Sequence, residues 1–255
     1  MIKITEEFAS SGRNFGNKLF TYAVGRIIAE KLNYKLVLPD NCKIQRTGVM
    51  MDFPYYSIDG DIIENPEYYV SDRLMSENGI DFVIENGKNK KIILDGYFPR
   101  YEYIKNYKNN IKTYYKDLIL ENDGKNDVII LLRDSNCDST FKLPDEYYLN
   151  ILKDIEFENL YISYDHKHKH QTLFTSLEKY DPILLDMNII DLFRFITQKN
   201  TIIAAQGTFS FWSCFLSNAS KIYWPISSVG PNLPSWGMNL TIDDEDRYEI
   251  INIHN

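Results

Sequence analysis

A chain of 255 residues, 44% hydrophobic and 25% charged, has the composition of an ordinary globular protein and the length for one large or two small α/β domains. With 36 acidic against 28 basic side chains its formal net charge is −8, which argues against a nucleic-acid backbone or an anionic membrane as the main partner, since both demand a basic field. Cys42, Cys137 and Cys214 are odd in number, far apart and in no metal-ligand spacing, which fits reduced thiols. The opening MIKITEEFASS has no apolar signal core and no later run is long enough to span a bilayer, so the expected location is cytoplasmic, with no membrane span.

Met1–Ile4 is a candidate first strand. Phe15–Leu32 is a candidate helix, with Leu19, Phe20, Ala23, Val24, Ile27, Ile28 and Leu32 at three- and four-residue steps. The link between them, from Ala9 to Asn17, is small and glycine-bearing. Tyr34–Leu38, ended by Pro39, completes a strand, helix, strand unit of the kind that builds parallel sheets. The stretch from Asn41 to Lys90 is the least regular; its Asp59-Gly60-Asp61 resembles a metal-holding D-x-D, but aspartate with glycine is far more often a turn. Lys91–Leu94 reads as a buried strand ending at Asp95. Ile104, Tyr107, Ile111, Tyr114 and Leu118 then keep helical spacing, and the polar stretch Asn122–Asp127 marks a domain boundary.

Val128–Leu132 is too short for a helix and reads as a buried strand, with Arg133 the first charge after it. Asn159–Ser163 and Pro182–Leu185 are further strands, and Ile189–Thr197 an amphipathic helix. In the run from His166 to His170 two lysines interleave three histidines; they repel a cation, so a solvated basic loop able to attract an anion is expected there. The decisive stretch is Asn200–Pro225. Thr201–Ala205 is an apolar strand, Gln206-Gly207 breaks it, and Thr208 stands at the N-cap position before a helix Phe209–Leu216. The first amide N–H groups of that helix, with the Thr208 and Ser210 hydroxyls, are expected to face an open crevice and form an anion site. An ordinary strand-to-helix connection needs the same glycine and the same cap, and spacing alone favours that reading. Tyr248–Ile253 alternates as an edge strand.

The segment GTFSFW followed by a small-apolar helix and KIYWP resembles the S-S-F-S-W-W segment of GDP-fucose-dependent fucosyltransferases, chiefly the α-1,2-fucosyltransferase family. SSGRNFGNKLFTYAVGRIIAEKL is similar to that family's G-G-L-G-N-Q-x-F-x-Y-A-x-G-R opening and to the G-R-F-G-N-Q segment of protein O-fucosyltransferases. ILDGYFPRYEYI resembles L-x-G-Y-F-Q-x-x-x-Y, and LPDEYY resembles L-P-x-x-Y-Y. The likeness runs from about the ninth residue to Pro225. It departs at the H-x-R-R-x-D motif, where Ile130 and Leu132 stand for the histidine and first arginine, and of the four motif residues only the second arginine, Arg133, survives.

The resemblance implies an α/β, GT-B-like fold of two Rossmann-like domains facing across a cleft. These would be residues 1–122 on the acceptor side and 123–255 for the nucleotide sugar. It implies fucose transfer from GDP-fucose to a glycan hydroxyl, with inversion, without a metal or other cofactor, and with a GDP-sugar donor and a glycan acceptor as partners. The donor-binding set it implies is Gly12, Arg13, Gly16 and Asn17 in the opening, Arg133, Ser163 and Asp165 on the second domain's strands, and Gly207, Thr208, Phe209 and Ser210 at the turn. Arg133 would stabilise the departing diphosphate, and Asp95, Asp134 and Asp138 are the candidate general bases by motif order. Two alternatives stand beside this: a catalytically silent binding protein of the same fold, favoured by the depleted arginine motif, and a transferase for another NDP-sugar.

Overall fold

A computed structural model describes residues 1–5, 15–40, 42–46, 49–133, 142–227 and 238–253. The chain divides into two compact units, Met1–Tyr114 with Gly237–Asn239, and Tyr115–Trp236 with Leu240–Asn255.

In the first unit β1 (Ile2–Ile4) leads to α1 (Phe15–Leu32) and β2 (Leu36–Val37). The apolar steps along α1 are the reason it forms: Leu19, Phe20, Ala23, Val24 and Ile28 are all wholly buried. A hairpin of β3 (Lys43–Arg46) and β4 (Val49–Asp52) follows. Lys18 of α1, itself buried, donates its Nζ to the Lys43 carbonyl at 2.5 Å and ties the hairpin to the helix. Then come β5 (Glu67–Ser71), α2 (Asp72–Asn86), β6 (Lys91–Asp95) and α3 (Lys108–Tyr114). The four-stranded sheet is parallel, in the order β2-β1-β6-β5.

The hairpin, β5 and α2 all fall in the stretch that the sequence marks as irregular. Their hydrophobic signal is thin: β5 buries Val70, and α2 buries Met75, Ile80 and Val83. Local chemistry sets α2 instead. Ser71 caps it, its hydroxyl accepting from Leu74 N at 3.3 Å, and Gly79 interrupts it with φ +81°. Asp59-Gly60-Asp61 is a stitch along β2, with Lys35 N donating to Asp61 O (3.0 Å) and Asp61 N to Asn33 O (2.8 Å). Gly60 fits because a Cβ there would lie 2.5 Å from the Tyr34 carbonyl carbon. Among the described residues no helix is long and apolar enough to cross a membrane, and no cluster of three or more acidic, histidine or cysteine side chains is placed to hold a metal.

The second unit carries β7 (Val128–Leu131), α4 (Asp145–Lys153), β8 (Leu160–Ser163), α5 (Gln171–Leu177), β9 (Ile183–Leu185), α6 (Ile189–Thr197), β10 (Thr201–Ile203), α7 (Thr208–Leu216), β11 (Lys221–Ser227) and β12 (Tyr248–Ile253). Its parallel sheet runs β9-β8-β7-β10-β11-β12, the 3-2-1-4-5-6 permutation of a dinucleotide-binding fold. The division between units falls at Tyr114/Tyr115, ahead of the boundary expected after residue 122. The intervening residues bond to α6: Arg194 Nε donates to Asp117 O (2.9 Å) and Leu120 N to Thr197 Oγ1 (3.1 Å).

Tyr147 of α4 fastens the centre of this sheet. Its hydroxyl donates to the carbonyls of Ala204 and Tyr223, both at 3.0 Å, in a wholly buried setting. Tyr147→Phe is therefore expected to cost about 1–2 kcal/mol of stability, read as a lower midpoint in denaturant titration with an unchanged slope.

Candidate functional site

In an open parallel sheet the chain leaves two adjacent strands in opposite directions at one point, and ligands bind beyond the C-terminal ends of the strands there. In the second unit that point lies between β7 and β10. Two residues past β7 stands Arg133, and three past β10 stands Gln206. Arg133 Nη1 donates to the Gln206 carbonyl at 3.0 Å. Gly207 follows with φ +118°, a region that strains any residue with a side chain. A Cβ built on it would lie 1.7 Å from Arg133 Nη1, so the guanidinium rests directly on the turn and glycine is what admits it.

Gly207, rather than Thr208, is the N-cap of α7, and it supplies no side-chain cap bond. Its backbone conformation starts the helix one residue earlier than the sequence suggests. Thr208 and Ser210 are 8% and 4% exposed, so they sit inside the fold rather than on an open crevice. The reason is packing: Phe211, Trp212, Ser213, Cys214, Phe215 and Leu216 are buried as well. Phe209 stacks edge-on against Phe193 at 5.6 Å. The result is a nine-residue helix whose N-terminus, with no side-chain cap from Gly207, lies beside a guanidinium.

Ser163 closes β8 and is buried; its carbonyl accepts from Leu132 N at 2.7 Å, which sets the course of the chain into Arg133. Asp165 lies two residues beyond, exposed. The basic run after it forms a short 3-10 turn, Lys167–His170, fastened by Lys142 Nζ donating to Lys169 O at 3.0 Å. Thus β7, β8 and β10 bring Arg133, Ser163, Asp165 and Gly207 to the same end of one sheet. Gln206 has a role that the sequence reading gave only as a strand break. Its carbonyl fixes Arg133, while its carboxamide is buried with neither nitrogen nor oxygen paired.

In the first unit Gly16 and Asn17 form the first turn of α1, where the Asn17 carbonyl accepts from Thr21 Oγ1 at 3.3 Å. Asp95 ends β6, and its Oδ1 accepts from Thr5 Oγ1 at 3.1 Å, across the β1/β6 pair. Gly12, Arg13, Asp134 and Asp138 lie outside the described residues. A carboxylate that the sequence reading passed over shapes the loop after Asp95: Asp72 at the start of α2 accepts from Tyr97 N (3.1 Å) and Phe98 N (2.6 Å). The signal for it is slight, a Ser-Asp pair ahead of a weakly amphipathic helix.

Burial pushes the Asp72 carboxyl above the usual aspartate range, against the pull of those two N–H donors. A carboxyl whose folded pKa is raised binds its proton more tightly when folded, so its ionisation opposes the fold. Its contribution to stability is greatest below the ordinary aspartate value and falls as pH rises through the folded one. Asp72→Asn, which keeps an acceptor oxygen, is expected to flatten that part of the pH dependence in thermal unfolding.

No family model and no curated protein sequence matches the chain. Among solved structures, E. coli heptosyltransferase WaaC with ADP is similar over 98% of this chain and 92% of its own, with a TM-score of 0.51 and 9% identity. The same protein with ADP-2-deoxy-2-fluoro heptose gives a TM-score of 0.49 and 8% identity over the same shares. The chain has the GT-B fold. Both parallel units described above are of the kind that makes up a GT-B protein, and the site at β7 and β10 belongs to its C-terminal unit.

Proposed function

We propose that this GT-B protein is a glycosyltransferase that holds the diphosphate of a nucleotide-sugar donor between Arg133 and the N-terminus of α7. The observation that carries this reading is the seat of the Arg133 guanidinium on Gly207, at the sheet's reversal point. A guanidinium and the N-terminus of a helix adjoin there, and both favour a diphosphate. In the transfer the acceptor's hydroxyl oxygen forms a bond to the anomeric carbon as that carbon's bond to the diphosphate oxygen breaks. The electron pair passes to the diphosphate, where fixed positive charge stabilises it, and the hydroxyl proton passes to a carboxylate or to water. Asp95 is the described carboxylate proposed for that role, with Asp134 and Asp138 beside it in motif order.

The donor proposed is GDP-fucose, on the GTFSFW and opening-helix resemblance; Asp165 would accept the guanine N–H groups. The solved structure of similar fold holds ADP, so an adenine-linked sugar is the competing donor. Calorimetric titration with GDP, GDP-fucose, GDP-mannose, ADP and UDP-sugars, with and without EDTA, separates them. GDP and GDP-fucose binding that persists in EDTA supports the proposal, ADP binding in their place moves the donor class, and binding that needs a divalent metal overturns the metal-free mechanism.

A further inference from the structure

On the first unit, α2 and the segment after β6 line a cavity of about 260 Å³ whose walls include Asn78, Gly79, Asp81, Glu102, Tyr103 and Tyr107. The volume lies just below the ~300–1,000 Å³ of small-molecule clefts, which leaves room for one sugar ring and not for a nucleotide sugar. Gly79 breaks α2 at this wall with φ +81° and ψ 172°, and a Cβ there would meet nothing within 4 Å. That glycine therefore serves the backbone path around the cavity and not close packing.

Two wall residues carry buried polar atoms without a hydrogen-bond partner, the Tyr103 hydroxyl and Glu102 Oε2. Tyr103 is 4% exposed, and burial pushes its phenol far up, so it remains an O–H donor at any working pH. Glu102 gives its other oxygen to Arg100 Nε at 2.5 Å, which holds the carboxylate in place with Oε2 still to be satisfied. Each such orphan carries a desolvation cost that folded proteins seldom retain without a use. A cation would satisfy Glu102 and not the phenol hydrogen, and an anion the reverse. A neutral hydroxyl satisfies both, accepting from Tyr103 and donating to Glu102. Asp81 and Asn78 offer partners to neighbouring hydroxyls, and the Tyr107 ring suits the C–H face of a sugar.

We propose that this cavity is a saccharide subsite that takes a single pyranose ring of a glycan through its hydroxyls. The proposal does not rest on the donor site of the second unit. Its test is saturation-transfer NMR on the whole protein with methyl glycosides of glucose, galactose, mannose, N-acetylglucosamine and fucose, alongside GDP binding and thermal unfolding. At least one glycoside is expected to bind at millimolar concentration, and Tyr103→Phe and Glu102→Gln are each expected to weaken it about tenfold, the loss of one hydrogen bond. Because it removes an orphan hydroxyl, Tyr103→Phe should melt at or above the wild-type temperature, and GDP binding should be unchanged in both variants. No glycoside bound, undiminished binding in Tyr103→Phe, or a Tyr103→Phe protein that melts well below wild type would each overturn the proposal; the last would show that the hydroxyl is held by structural water. A failure of GDP to bind the wild type would bear on the donor site alone.

Discussion

Arg133→Ala is expected to lower donor turnover by roughly 10²–10³-fold, the usual loss when one fixed donor is removed from a developing negative charge. Turnover here is transfer or slow hydrolysis, read as nucleotide diphosphate released. The leaving diphosphate gains charge as the glycosidic bond breaks, so the loss should fall on kcat more than on KM. Thermal unfolding of the variant, set against the wild type, separates this loss of chemistry from any loss of fold. Gly207→Ala is the complementary test. It leaves the guanidinium present but drives a methyl group into the place 1.7 Å from Nη1, on a backbone that already disfavours side chains. Equal losses in the two variants, and no further loss in the double variant, would show that they act as one device. Wild-type turnover in Arg133→Ala would remove Arg133 from the chemistry, whereas nucleotide binding with no turnover in the wild type itself would leave the silent-binder reading in its place.

The order of strands in the second unit is legible in the sequence because its central strands are short, largely apolar runs. Val128–Leu131 is buried at every position and Thr201–Ile203 likewise, and each run meets its first polar residue, Arg133 or Gln206, within three residues of the strand's end. The first unit is legible at β1, α1 and β6 for the same reason. It is opaque between residues 41 and 90, where strands buried on one side and a helix interrupted by Gly79 leave too few apolar positions to set a period. The candidate site shows the same split. Arg133 and Gly207 stand out as a strand-end charge and a turn glycine, but their contact joins residues 74 apart and follows from the β7/β10 pairing, which no local pattern carries. The burial of Thr208 and Ser210 is hidden in the same way. Their side chains suit a cap, and only the conformation of Gly207 shows that the cap has moved one residue back.

The largest effect on stability is expected at the opposite end of the same sheet. Lys199, 2% exposed, donates its ammonium to Asp127 Oδ2 (2.9 Å) and Asp123 Oδ2 (3.1 Å), and lies over the Phe195 and Tyr161 rings at 4.3 and 4.7 Å. Asp127 is wholly buried, and its other oxygen accepts from Asn159 Nδ2 at 2.8 Å. Truncating one partner of such a buried pair costs about 3–5 kcal/mol, and Lys199 would keep only the partly exposed Asp123, so Asp127→Ala is expected to lower the calorimetric transition of the second unit by on the order of 10 °C. The double variant Asp127→Leu with Lys199→Met removes both charges and should recover most of the loss. Burial alone would lower the Lys199 pKa, but the bonds to Asp127 and Asp123 outweigh it and raise the value. A lysine raised on folding contributes fully below its unfolded pKa and loses that contribution as pH climbs through the folded one. The wild type should therefore lose stability at alkaline pH along a slope that the double variant lacks. Asp127 and Lys199 precede β7 and β10, whereas Arg133 and Gly207 follow them, so at a temperature where both proteins are folded the double variant should bind GDP as the wild type does. A matching loss of GDP affinity there would mean that the ion pair sets the spacing of β7 and β10 along their whole length, and that the seat of Arg133 on Gly207 depends on it.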